Sequence, residues 1–265
     1  MQLEPTGERM IMEHYKSSAE DYVIYLLHMA TYRFAEEFTR GKRVLDFGCG
    51  SGYGSAQIAG SAEHVTAVDV AEDAVAYAQA QFGRANLEFK SIDPTKPLPV
   101  EDASFDVVLS FQVFEHVVDT SHYLSEVRRV LRPRGQFLLV TPDRSTRLLP
   151  LQRPWNRWHV HEYGKGELAR TLSGYFDQVQ VLDMSGKPEM IDIEVRRCSR
   201  IKWLTLPATL PILPDSWRVA VLNLINRVRG EGARTGAERE FPFTIDDVKI
   251  AANASPSVNL VAVAS

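Results

Sequence analysis

The chain has 265 residues, 45% hydrophobic and 24% charged, enough to bury one sizeable α/β core with an extension. Its formal net charge of −4 gives no general affinity for nucleic acid, and its cysteines, Cys49 and Cys198, lie far apart in sequence. No signal peptide is read and no apolar run reaches the roughly eighteen residues of a membrane span, so a cytoplasmic chain is expected, with peripheral membrane contact left open.

In chain order, residues 1–12 read as an irregular arm. Ala19 to Arg40 places Tyr22, Leu26, Met29, Ala30, Phe34 and Phe38 at helical spacing, and Gly41 is a good stop. Val44, Leu45 and Phe47 predict a short buried strand. Gly48, Gly50, Gly52 and Gly54 then form a turn where backbone can approach a ligand closely, and Ala56 to Ala59 begin a helix. Further strands are expected at His64–Asp69, Leu87–Ile92, Phe105–Ser110, Gln136–Thr141 and Val179–Met184. Helices are expected at Ala71–Gln81, Ser121–Leu131 and Lys165–Leu172. This alternation predicts an α/β fold with a parallel sheet covered on both faces. Strand, glycine turn and helix together place a nucleotide-like cofactor at the carboxyl end of that sheet.

Glycine spacing decides which cofactor. A dinucleotide turn needs Gly-x-Gly-x-x-Gly, but Tyr53, Ser55 and Gln57 stand at the sixth position of the three registers. A phosphate-cradling loop needs Gly-Lys-Ser/Thr, and no lysine lies between Arg43 and Lys90. A nicotinamide oxidoreductase therefore fails on spacing. Asp46 agrees, since a carboxylate there repels phosphate and suits an ammonium group. Asp69 follows the glycines by about twenty residues, where a carboxylate can accept from ribose hydroxyls. Asp93 closes the third strand, where an adenine edge could be read.

This set resembles the class I S-adenosylmethionine-dependent methyltransferases. The residues that carry the resemblance are Val-Leu-Asp-Phe-Gly-Cys-Gly-Ser-Gly at 44–52, Ala-Val-Asp at 67–69, Asp93 and Asp-Ala-Ser-Phe-Asp-Val-Val at 102–108. It covers roughly residues 40–184. It implies a Rossmann-like sheet of seven strands, mostly parallel with an antiparallel last strand, for which Asn259–Ala264 is the candidate. It also implies S-adenosylmethionine as cofactor and S-adenosylhomocysteine as product. Asp46, Phe47, Gly48, Cys49, Gly50 and Gly52 would hold the methionine part, Asp69 and Val70 the ribose side, Asp93 the adenine, with Phe111 beside them. Cys49 fits there as a small residue rather than a redox group.

Methyl transfer to a hydroxyl needs an aligned acceptor and a base. The segment 110–117 (Ser-Phe-Gln-Val-Phe-Glu-His-Val) lacks the Asn/Asp-Pro-Pro-aromatic motif of enzymes that methylate nucleobase or glutamine nitrogens. It looks instead like the Glu-His-Val segment of small-molecule and glycan methyltransferases, which implies Glu115 and His116 on the acceptor side. A helix-starting hydrogen-bond pair is an equal reading of these two. Relatives acting on quinone precursors can carry acids at both the Gln112 and Glu115 positions and bind a divalent metal. The neutral Gln112 weakens that reading and leaves magnesium open. The segment 156–163 (Asn-Arg-Trp-His-Val-His-Glu-Tyr) partly resembles the Asn-Pro-Phe-His-x-Arg-Glu segment of sugar O-methyltransferases, with Arg157 for Pro and His161 for Arg. His159 is thereby the expected base, since histidine titrates near neutral pH. His159 and His161 could also pack as loop residues; as a zinc pair they show no third or fourth ligand.

Thr6-Gly7-Glu8-Arg9, Thr244-Ile245-Asp246-Asp247 and the Leu-Val-Ala-Val end resemble mycobacterial-type polysaccharide methyltransferases, and His14 or Tyr15 could close over the cofactor. A sugar or glycan is the expected acceptor. A quinone, phenol or natural-product scaffold is the alternative, and a non-catalytic cofactor-binding partner protein the reading from another class.

The organisation expected is an N-terminal arm and helix (1–40), a core (41–184), an insertion (185–255) and a returning strand (256–265). Roughly seventy residues between the last two strands are too many for a hairpin loop. The insertion reads as a substrate lid or dimer surface, or as mere cover for the sheet edge. Prolines in Leu204–Pro214 argue against regular helix there. Asp215 or Ser216 would cap a helix from Trp217 to about Val228, and Gly230–Glu240 would be a loop. Arg196, Arg197, Arg200 and Lys202 form a basic cluster, either an anion contact or a solvated face.

Overall fold

The computed structural model describes residues 15–16, 18–211, 218–223 and 240–265. The arm at 1–12 with its Thr-Gly-Glu-Arg, His14, the cap at 215 or 216 and nearly all of the loop at 230–240 lie outside the described residues.

One eight-stranded sheet organises the chain. Its strands are β1 (Arg43–Phe47), β2 (His64–Asp69), β3 (Leu87–Ser91), β4 (Phe105–Phe111), β5 (Leu131–Pro142), β6 (Val179–Gly186), β7 (Val248–Ala251) and β8 (Asn259–Ala264), in the order β3-β2-β1-β4-β5-β8-β6-β7. The run from β3 to β5 is parallel, β8 lies antiparallel between β5 and β6, and β7 is antiparallel to β6. The α/β, Rossmann-like and mostly parallel sheet is therefore as expected. The eighth strand, β7, was not expected; its four residues Val-Lys-Ile-Ala are too short to stand out in sequence.

The strands alternate their side chains between two cores. Val44, Val65, Val107, Leu109 and Leu138 face one side, against residues of α1 (Ala19–Thr39), α2 (Tyr53–Ile58), α3 (Glu72–Phe82) and α7 (Pro188–Thr209). Leu45, Phe47, Val68, Val108 and Leu139 face the other, against α4 (Thr120–Val130) and α6 (Lys165–Ser173). Burial on both faces explains why β1 and β4 read as nearly continuous apolar runs. α1 starts where the Ser18 hydroxyl accepts from the Asp21 amide at 3.0 Å, and its Tyr32 lies edge-on to Phe111.

α7 corrects the expectation for Leu204–Pro214: the helix continues through Pro207 to Thr209. A proline so near the end forfeits little more than the bond to the Trp203 carbonyl. The Thr205 and Thr209 hydroxyls bond to the carbonyls of Ile201 and Thr205, and α7 packs on α1 and on the short α5 (Arg144–Arg147). Packing outweighs propensity here. Residues 218–223 are also helical. The basic cluster is taken up internally: Arg196 pairs with Asp192, Arg197 with Glu194 and Arg200 with Glu20, while the Lys202 ammonium donates to the Thr146 carbonyl. No described helix is long and apolar enough to cross a membrane.

Candidate active site

Both halves of the site lie at the carboxyl ends of the central parallel strands, where adjacent loops part and leave room for a ligand. The first half is the turn after β1. Gly48, Gly50 and Gly52 all have positive φ, at 98°, 51° and 82°. A Cβ on Gly52 would stand 2.6 Å from Ala78 and 2.7 Å from Phe89, whereas one on Gly50 would meet nothing within 4 Å. Gly52 is thus required by packing, and Gly50 by its backbone conformation beside open space. The Gly48 and Cys49 amides bond back to the Val68 carbonyl, which ties the turn to β2.

Asp69 ends β2 and receives the Gly50 amide on one oxygen at 2.8 Å and the Ala71 amide on the other at 2.9 Å. Val70 beside it is 57% exposed, an apolar surface next to a carboxylate. Asp46 is buried. One of its oxygens accepts from the Ser55 hydroxyl at 2.6 Å, and the other, Oδ1, is buried with no hydrogen bond within normal geometry among the described residues. Burial pushes its carboxyl up to about 7, Asp69 adds to that rise, and the hydroxyls of Ser55 and Tyr32 oppose it. Burial likewise raises the Cys49 thiol well above its ordinary value, and the Asp46 and Asp69 carboxylates add to the rise. Phe47 stacks on Tyr123 and Phe111 lies buried at the end of β4. Asp93 is exposed; hydrogen bonds from Thr95 and the Lys96 ammonium bring its carboxyl down to about 2.

The second half is assembled from distant segments. Beyond β4, Gln112 takes a φ of 58° and leads into a single 3-10 turn, Phe114–His116. The loop after β5 returns to it: the Val160 and His161 amides bond to the Glu115 carbonyl at 2.8 and 3.2 Å. His116 Nδ1 lies 3.0 Å from the Trp158 carbonyl. A carbonyl only accepts, so Nδ1 carries the proton and the lone pair of the neutral ring sits on Nε2. His159 is buried, with Nδ1 2.8 Å from Glu162 Oε1, and its ring meets that of His116 edge-on at 4.8 Å. Glu115 is buried and its Oε2 accepts from the Thr141 hydroxyl at 2.9 Å. Burial raises its carboxyl, with His159 and His116 pulling the other way. A carboxylate oxygen of Glu115 and a nitrogen from each ring lie within 4.8 Å of one another.

Glu162 and Arg147 are the residues that sequence reasoning missed. The Arg147 Nε donates to both Glu162 oxygens at 3.0 and 3.1 Å, and its guanidinium lies over the Trp155 ring at 4.1 Å. Burial alone would raise Glu162, but Arg147 and His159 hold it below the usual carboxylate range. Its sequence signal was the closing glutamate of the partly matched segment, three positions after His159, to which no role was given. His161 leaves the cluster, with its Nε2 2.8 Å from Glu167. The His-x-His zinc pair is therefore split, and Glu115 and His116 are the neighbours that His159 acquires instead.

Comparison with known proteins places this arrangement. The family described as "Methyltransferase domain" matches residues 45–139. A probable S-adenosylmethionine-dependent methyltransferase of Mycolicibacterium smegmatis is 32% identical over 249 residues, covering 93% of each chain. Another of that description, from Mycobacterium tuberculosis, is 34% identical over 93% of this chain and 88% of its own length. A solved structure from Thermotoga maritima, described as a methyltransferase dependent on S-adenosylmethionine and a possible histamine N-methyltransferase, superposes with a TM-score of 0.58. At 13% identity over 92% of this chain and 91% of that one, it shares the fold.

Proposed function

Because the chain belongs to the S-adenosylmethionine-dependent methyltransferases, we propose that it transfers the methyl group to a hydroxyl of a sugar or glycan, with His159 as the base. Bound in the glycine turn, the cofactor supplies a methyl group already activated on a sulfonium. The residues present fit it. The orphaned Oδ1 of Asp46 offers a buried acceptor to the methionine ammonium, and the open space at Gly50 leaves room for the ligand against backbone. Asp69 retains acceptor capacity for ribose hydroxyls beyond its two amide bonds, and Val70 and Phe111 give apolar surface for the base. Asp93 is assigned the adenine edge.

The observation that carries the acceptor side is the cluster of Glu115, His116 and His159 at the same sheet edge. Glu162, held ionised by Arg147, takes the Nδ1 proton of His159 as its hydrogen-bond partner. That fixes Nε2 as the proton-accepting atom and stabilises the imidazolium that forms. Trp158 supports a sugar acceptor: it is 52% exposed and adjoins His159, and with the Arg157 guanidinium over one face of its ring at 4.7 Å, the other face is the one for a sugar ring. Val118 and Val160, exposed beside the cluster, favour the second reading, a phenol or quinone acceptor.

The test is transfer of a labelled methyl group into fractionated cell extract. Label in carbohydrate, released as a methyl ether on hydrolysis, is the expected result. Label confined to aromatic small molecules would replace the sugar reading by the second one.

A further inference from the structure

We propose that one face of the molecule, formed by the outer stripe of α7 and the loop at 149–160, docks on an anionic lipid bilayer. The proposal goes beyond the acceptor reading above and does not depend on it.

The stripe runs along α7. Arg196, Arg200, Trp203, Pro207 and Leu210 follow one another at spacings of four, three, four and three, which stacks them on one side of the helix, with Leu204 beside them. All are exposed, Trp203 by 59% and Leu204 by 53%. The opposite side, with Cys198, Ile201, Thr205, Ala208 and Thr209, is buried, so packing of α7 makes no use of the outer apolar residues. The loop joins the end of this stripe. The Gln152 side-chain amide donates to the Lys202 carbonyl and the Thr209 hydroxyl, and the Arg153 backbone amide bonds to the Thr209 carbonyl at 2.9 Å. Leu151, 78% exposed, is thereby held next to the apolar end of α7. The same loop runs on to Trp158 and Val160, exposed at the acceptor half of the site. Apolar side chains gathered in this way mark a contact surface.

Charge identifies the occupant. Residues 144–161 and 195–211 together hold eight arginines and lysines and no aspartate or glutamate, in a chain of net charge −4. Arg147 and Arg197 are taken up in pairs with the buried Glu162 and Glu194. Arg196 and Arg200 meet Asp192 and Glu20 in exposed ion pairs, which are weak in water and exchange readily for lipid phosphates. Lys202 and Arg157 donate to neutral groups, the Thr146 carbonyl and the Asn223 side-chain oxygen, which leave their positive charge uncancelled. Tryptophan and leucine bordered by such cations match the boundary of an anionic bilayer, where the rings and aliphatic chains enter below the headgroups and the cations meet phosphate. The contact is peripheral, since no described helix is long and apolar enough to cross a membrane. A second copy of the chain fits this face less well. A two-fold contact through it would set arginines against arginines, with no acid from these segments between them.

The experiment is co-sedimentation of the full chain with vesicles of phosphatidylglycerol and phosphatidylcholine in equal parts. Quenching of tryptophan fluorescence by lipids brominated in their acyl chains gives a second reading, and S-adenosylhomocysteine binding serves as the test of fold. The chain should sediment with these vesicles, be quenched by the brominated lipids, and be released by added salt. Vesicles of phosphatidylcholine alone should bind it about tenfold more weakly or worse. Trp203→Ser combined with Leu204→Ser should weaken partition by about a hundredfold, and Lys202→Gln or Arg157→Gln by about fivefold each. Arg134→Gln, an exposed arginine toward the amino end of β5 and so away from the site, should leave partition within about twofold. A chain that binds S-adenosylhomocysteine normally but does not sediment with the mixed vesicles overturns the proposal. So does vesicle binding that the Trp203–Leu204 double variant retains in full. A dimer in light scattering that the same variant dissolves, without vesicle binding, gives the face to a second copy and overturns the proposal as well.

Discussion

The two halves of the site sit side by side on one sheet edge, yet they are built from different materials. The half after β1 and β2 is mostly backbone: the amides of Gly48, Cys49 and Gly50 fix the turn, and Asp46 and Asp69 lie within a few residues of it or on the next strand. The half after β4 and β5 is mostly side chain. Glu115, Thr141, Arg147, His159 and Glu162 come from separate stretches and hold one another by hydrogen bonds and charge. A backbone-built half depends on conformation, whereas a side-chain network depends on the charge of each member. The halves should therefore fail differently when mutated.

The strongest test is His159→Ala. With His159 as base, turnover on the acceptor should fall by about a thousandfold, within the range of general-base catalysis, while S-adenosylhomocysteine affinity measured by calorimetry stays unchanged. Loss of both together would erase the distinction between the halves. Close behind is Glu162→Gln, which leaves the buried Arg147 guanidinium without its counter-charge. It should cost about 3–5 kcal/mol in urea denaturation. The double variant Glu162→Gln with Arg147→Met should recover much of that loss, because no unpaired buried charge remains. If the single variant unfolds no more readily than the parent chain, the network is not charge-dependent.

This division also explains what could be read in advance. The glycine turn and the acid ending the next strand, Asp69, could be located in advance because a backbone-made site needs particular residues at fixed short spacings, and the succession of strands and helices along the chain could be read from apolar periodicity. His159 and Glu115 could be named individually from local segments, but not their meeting, which depends on Val160 and His161 bonding to the Glu115 carbonyl across some forty-five positions. Arg147 carried no local sign at all: an arginine after a strand is ordinary until a buried carboxylate faces it. β7 and the helix through Pro207 escaped for a similar reason, since edge pairing and packing on α1 and α5 decide them rather than their own residues.

On the backbone side, Asp69→Ala should weaken S-adenosylhomocysteine by about 1.5–3 kcal/mol, roughly ten- to a hundredfold, and leave the urea midpoint almost in place. A large stability loss would instead show that the carboxylate mainly braces the turn through Gly50 and Ala71.

The most specific test within the backbone half is one of pH. Burial lifts the Asp46 carboxyl to about 7, above its value in an unfolded chain. A protonated Asp46 therefore favours the fold. That contribution disappears as pH rises from about 4 toward 7, at up to about 1.4 kcal/mol per pH unit. Cofactor binding should run the opposite way, because an ammonium group is stabilised by the ionised carboxylate. S-adenosylhomocysteine affinity should rise with pH up to about 7, by at most about tenfold per unit, and level off above it. In Asp46→Asn the dependence should vanish and the affinity stay at its low-pH value. Calorimetry in buffers of different ionisation enthalpy provides the check: near pH 6 the parent chain should release a proton on binding and the variant none. A flat pH profile in the parent chain would mean that Asp46 is already ionised and its burial compensated. The orphaned oxygen would then not be what discriminates an ammonium-bearing cofactor from one with a pyrophosphate.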